Sequence, residues 1–127
     1  MHRSRLYGVF VDAPLAEAER SVDFWSAALG IAPVRSDTSS PFVGFPGAVR
    51  ELVFEVQAVD DAPRFHVDIE TDDVAAETER LKALGAVEHV RHDGWVVLRA
   101  PGGHLLCVVP IQSSREVFEA TGHDWDS

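Results

Sequence analysis

The sequence predicts an α+β fold made of two copies of one strand–helix–strand–strand–strand unit. Three observations carry this reading. Two helical segments each close on a Leu-Gly pair, Leu29-Gly30 and Leu84-Gly85, offset by 55 residues. Each is preceded by a strand-like run, LYGVFV from Leu6 and RFHVDIET from Arg64. Each is followed by short apolar runs separated by Pro, Gly and Asp turn residues. Two units of this kind are expected to form one curved, mostly antiparallel sheet around a cleft, with both helices outside. So few and so long repeats exclude a solenoid.

In chain order, Leu6 to Val11 reads as a strand that ends at the turn Asp12-Ala13-Pro14. The next segment, LAEAERSVDFWSAALG, spaces Leu15, Ala18, Val22, Trp25 and Leu29 by three and four residues, which places them on one helical face. Glu17 and Glu19 stand at the positive end of its dipole, and Gly30 is the expected left-handed cap. IAPVRSD, FVGF and RELVFEVQAV then read as strands. Asp60 to Pro63 is the linker, which bounds module one at about 6–59 and module two at about 64–110. In RFHVDIET, alternation puts Phe65, Val67 and Ile69 on one face and His66, Asp68 and Glu70 on the other. Asp72 and Asp73 can cap the following helix, whose buried stripe is Val74, Thr78, Leu81 and Leu84. VEHVRH, GWVVLRA and HLLCVVP complete the unit, with turns at His92-Asp93-Gly94 and Pro101-Gly102-Gly103. In the tail 111–127, Ser113 and Glu116 offer a capping box, and Trp125 is expected to be loose unless docked.

Bulk properties narrow the functional classes. At 127 residues the chain is a single domain large enough for its own core. Hydrophobic content of 46% and charge of 25% are those of ordinary globular proteins. A net charge of -10 argues against nucleic acid and against an anionic membrane surface as partners. One cysteine permits no internal disulfide. No apolar run approaches the ~20 residues that span a bilayer, and no signal-peptide core opens the chain, so a cytoplasmic location is expected. No HExxH, CxxC, GxSxG or phosphate loop occurs.

The candidate chemistry lies on the polar face of the second module's first strand. His66, Asp68 and Glu70 are spaced about 7 Å apart along it, within reach of one another's side chains. Three ionisable groups there are costly to bury unless used or wet. His66 can act as a general base, contact a ligand or bind a metal, or it can simply bond to Asp68 or Glu55. Glu55 can be its acid–base partner or a solvated carboxylate. Cys107, among Leu106, Val108 and Val109, reads as a small buried hydrophobe or a reactive thiol. Phe10, Phe42, Phe45 and Trp95 can line an aromatic pocket with Tyr7 at its rim, and Phe10 shares the face of Gly8. Trp25 belongs to the core.

These residues resemble the vicinal-oxygen-chelate superfamily, which groups glyoxalase I, extradiol dioxygenases and bleomycin-resistance proteins, and in particular its glyoxalase-like domains. The pattern comprises the Asp12-Ala13-Pro14 turn before a helix ending FWSAALG, the strand FHVDIETDD, the helix ending LKALGA, and the hairpin GWVVLRAPGGHLLCVV. The resemblance implies a divalent metal held from the first and last strands of each module. The matching positions here are Gly8, Glu55, His66 and Cys107. Gly8 offers no side-chain ligand and Cys107 is an unusual one, so the resemblance implies a degenerate metal site. The expected cofactor is accordingly none, or a divalent metal on His66 and Glu55. The expected function is a small-molecule protein, with His66 and Glu55 as catalytic residues of lyase or isomerase type. Gly8, Phe10, Asp68, Glu70, Trp95 and Cys107 are then ligand contacts. Two alternatives stand beside it: a non-enzymatic, bleomycin-resistance-type binder of a cationic ligand, and a divalent-metal enzyme using Glu55 and His66. A homodimer is expected from the habit of the superfamily.

Overall fold

The computed structural model describes residues 1–126. Its strands are β1 (His2–Pro14), β2 (Phe42–Gly44), β3 (Val53–Val59), β4 (Arg64–Thr71), β5 (Val87–His92), β6 (Trp95–Arg99), β7 (Leu105–Pro110) and β8 (His123–Trp125). Its helices are α1 (Ala18–Leu29), entered through a 3-10 turn at Leu15–Glu17, α2 (Val74–Ala83) and α3 (Arg115–Thr121). The α+β class is as expected: one mixed, eight-stranded sheet in the order β2-β3-β1-β4-β7-β6-β5, with β8 beside β1. By contacts the chain divides into two compact units. One is Gly8–His66; the other joins Met1–Tyr7 to the chain from Val67 onward. The division falls inside β1 and inside β4.

In the Gly8–His66 unit, β3 runs parallel to β1, and β2 is antiparallel to β3. The crossover from β1 to β3 contains α1, as a parallel connection requires. Val11, Ala13, Val43, Phe45 and Val56 form the core beneath α1, which contributes Val22 and part of Trp25. Leu15 and Leu29, expected on the same stripe, are exposed. The 3-10 turn offsets Leu15 from the α-helical spacing, and Leu29 lies in the last turn beside Gly30, which takes the left-handed φ of 70° expected of it. IAPVRSD forms no strand: only Val34 bridges, to Gly44. Pro33 and the Asp37 turn leave too few extended residues for a ladder.

In the other unit, β7 lies parallel to β4, and β6 and β5 follow as an antiparallel hairpin. Val96, Leu98, Leu106 and Val108 form its core, with Val67, Ile69, Val74 and Leu81 packed against them. Asp73 caps α2 by accepting from the Ala76 amide. Leu84 stands at the C-cap and is exposed instead of completing the buried stripe. The tail departs from its expected cap by one residue. Ser114, not Ser113, caps α3 by accepting from Val117 N. Ser113 is drawn off to Glu70. Trp125 is docked: β8 pairs antiparallel with His2, Arg3 and Ser4, its indole Nε1 donates to Ser4 Oγ, and the Arg80 guanidinium lies 3.8 Å over its ring. Among the described residues, no helix is long and apolar enough to cross a membrane.

Candidate functional site

The two faces of the Gly8–His66 sheet are chemically opposite. Alternation sends Val11, Ala13, Val43 and Val56 to the α1 side, so Gly8, Phe10, Asp12, Phe42, Glu55 and Gln57 share the other. Register fixes their neighbours: Gly8 pairs with Val53, Phe10 with Glu55, Asp12 with Gln57, and on the far side Gly44 with Glu55 and Phe42 with Gln57. Gly8 is needed for closeness. A Cβ there would lie 2.2 Å from Cγ2 of Val53, so β1 and β3 could not carry both side chains.

His66, near the start of β4, meets this face through Asp12. Its Nδ1 lies 2.8 Å from Asp12 Oδ2, and its ring stacks on Phe10 with centroids 4.7 Å apart and planes 4° from parallel. Phe42 then meets Phe10 edge-on at 6.1 Å. Asp12 is only 3% exposed, and Arg64 supplies a counter-charge with Nε 3.3 Å from the same Oδ2. Arg64 Nη1 also donates to Asp61 at 2.8 Å. That bond holds the guanidinium above its usual value, partly against burial. Beside this chain of groups opens a pocket of about 480 Å³, lined by Val34, Phe42, Leu52, Phe54 and the backbone of Pro46-Gly47, among others. That volume is in the range of small-molecule sites. Glu55 is the ionisable residue lining it.

The expected site residues therefore separate. Phe10, His66, Phe42 and Glu55 belong to one unit, and Phe10, Phe42 and His66 form a continuous ring contact. Phe45 lines the pocket but is also core. Asp68 and Cys107 are register partners across β4 and β7. His66 precedes Asp68 by two residues on the same face of β4, and the ligand atoms of these three lie within 4.8 Å of one another, so they form a group able to hold a metal. An imidazole, a carboxylate and a thiol suit zinc better than the octahedral hard metals of the Glu/His pattern. No side-chain ligand can come from Gly8. Glu70 is placed differently from its expected ligand role: fully buried, it accepts from Arg5, from the amides of Gln112 and Ser113, and from Ser113 Oγ. Trp95 stacks on His92 at the β5–β6 turn, with centroids 4.0 Å apart.

Asp12 and Arg64 were missed as site residues because Asp12-Ala13-Pro14 reads as a turn. The strand in fact runs on to Pro14, since proline can end a strand whose amide is not required. Counting on from Gly8 and Phe10 by twos would have reached Asp12, and counting back from His66 would have reached Arg64.

A small α+β chain with a buried carboxylate–imidazole pair on one sheet face and a pocket beside it defines the class. More particularly, the chain belongs to the glyoxalase-like domain family, whose model matches residues 8–109. No curated protein matches it in sequence. Solved structures are similar in fold. A hypothetical protein from Bacillus halodurans C-125 gives a TM-score of 0.62 at 10% identity, covering 87% of this chain and 96% of that one. Methylmalonyl-CoA epimerase from Mycobacterium tuberculosis gives 0.55 at 15% identity, over 85% and 88%. A Mn(II)-bound glyoxalase from Novosphingobium aromaticivorans gives 0.52 at 19% identity, over 88% of this chain and 44% of that one. The match to the vicinal-oxygen-chelate fold is thereby established.

Proposed function

We propose that this protein binds a small organic molecule on the Phe10–Glu55–Phe42 face and that His66 moves a proton to and from it, chemistry of isomerase or lyase type. The observation that carries the reading is the 2.8 Å contact between His66 Nδ1 and buried Asp12. A carboxylate on one ring nitrogen orients the imidazole and makes the other nitrogen the proton acceptor. Phe10 fixes the ring plane. Glu55 makes the pocket negative, which suits a neutral or cationic ligand better than an anionic one. An epimerase among the fold neighbours fits the same class of reaction.

The test is to incubate the protein in D₂O with a panel of carbonyl compounds bearing acidic C–H bonds and follow deuterium uptake by NMR. Uptake with at least one compound, lost in His66→Ala and reduced in Asp12→Asn, supports the reading. Binding without uptake, unchanged in His66→Ala, replaces it with a non-enzymatic binding protein of the bleomycin-resistance type. A second reading rests on the His66–Asp68–Cys107 group: a zinc-type metal enzyme. Metal analysis of untagged protein checks it. Stoichiometric zinc that is lost in Cys107→Ala favours it over metal-free proton transfer, and metal-free active protein removes it.

A further inference from the structure

Phe10 and Phe42 belong to strands that are not neighbours. β3 runs between β1 and β2, and two strand spacings put their backbones roughly 10 Å apart. Their ring centroids are nonetheless only 6.1 Å apart, so the rings lean towards each other over β3. Register gives the crossing point. Phe10, Glu55 and Gly44 make one row across the sheet, and Asp12, Gln57 and Phe42 make the next. The ring pair therefore runs diagonally between Glu55 and Gln57.

That diagonal divides the face. On one side the Glu55 side chain bends over Gly44, its Oε2 3.4 Å from where a Cβ would stand there, and both residues line the pocket. On the other side Asp12 holds His66, whose ring covers the face of Phe10. Phe42 borders both, since it lines the pocket and meets Phe10. Along this face, a ligand in the pocket reaches the imidazole only if one ring yields. Phe10 is 2% exposed and pinned by the stack. Phe42 is 38% exposed on a three-residue edge strand, and its amide donates to Ser40 Oγ at 3.2 Å. Its side chain can turn to another staggered position towards solvent without moving the backbone. We propose that Phe42 is a gate between the pocket and His66, closed in this structure and swung outward by the ligand. This rests on the reading of the pocket and His66 as one site.

The experiment is NMR of the full chain titrated with acetophenone, a neutral ketone. It follows the Val34 and Leu52 methyls in the pocket, the His66 Cε1–H and the nuclear Overhauser effect between the Phe10 and Phe42 rings. In wild type the methyls and His66 are expected to shift together while the ring-to-ring effect fades. At equal occupancy, read from Leu52, the His66 shift is expected to grow by about threefold or more in Phe42→Ala. Phe42→Tyr, which keeps the ring, should match wild type. Phe42→Leu should lie between the two, and it keeps the test readable if Phe42→Ala folds poorly. A wild-type His66 shift with the ring-to-ring effect intact overturns the gate, as does one no larger in Phe42→Ala and Phe42→Leu. Either result leaves proton transfer to be decided by deuterium uptake. Methyls that never shift remove the pocket as a ligand site and the gate with it. Absent uptake with the gate behaving as expected removes only the catalysis.

Discussion

Glu70 and Asp12 are both buried carboxylates facing an arginine, yet they are built to opposite plans. Glu70 spends both oxygens: Oε1 accepts from the amides of Gln112 and Ser113, and Oε2 from Arg5 and Ser113 Oγ. It ties the tail and the first residues of the chain to β4, and nothing more can reach it. Asp12 draws His66 and Arg64 to the single oxygen Oδ2, and its Oδ1 is buried without a hydrogen-bond partner among the described residues. A saturated carboxylate holds structure. One left partly unsatisfied, with an imidazole on it, is a cost that function explains better than stability does.

The largest expected effect follows from the saturated member. Glu70→Ala removes the carboxylate that faces buried Arg5 and is expected to lose about 3–5 kcal/mol in urea unfolding. A loss below about 1 kcal/mol would erase the contrast with Asp12. Asp12→Ala is expected to cost less stability, about 1–3 kcal/mol, while lowering any proton-transfer rate by roughly 10²–10⁴-fold. Equal stability losses in the two variants would make Asp12 another structural brace. Gly8→Ala tests whether the first-strand position matters through packing. The clash with Val53 should cost about 1–3 kcal/mol, and trimming Val53 to Ala in the same chain should restore only part of it, because the Val53 carbonyl oxygen would still stand 2.9 Å from the added Cβ.

The smallest effect concerns a third buried acid, Glu77. Burial pushes its carboxyl up, but hydrogen bonds from Arg80 and His2 outweigh that and hold it below the usual value. The unfolded chain therefore binds the proton first. The stabilisation is complete above the ordinary glutamate range and is lost as pH falls through the lowered folded value. Melting temperature should drop below about pH 4.5, with a shallower slope in Glu77→Gln. An identical slope in that variant would assign acid sensitivity to other carboxylates.

Periodicity carried the fold well because each unit keeps a clean alternation. His66, Asp68 and Glu70 were legible as one face of a strand, and the Leu-Gly helix ends were legible as caps. Long-range pairing was not. Nothing local says that Glu70 will be claimed by an amide 42 residues later, or that His66 will meet Asp12, 54 residues before it. FVGF, read as a strand, is β2, whereas IAPVRSD, read as another, keeps only the lone bridge at Val34. Likewise His2 is buried with its Nε2 2.7 Å from Glu77, a partner 75 residues away. Its burial depends on β8 arriving from the other end of the chain.

That arrival has a practical meaning. His2 and Trp125 are register partners, so β1 and β8, far apart in sequence, lie side by side in a finished ladder. A few flexible residues could join them, and the chain could be reopened at the Asp60–Pro63 linker, giving a circular permutant that begins at β4. The same adjacency warns that a tag fused directly to either end sits against paired strands, where a short spacer would keep it from prising β8 away from β1.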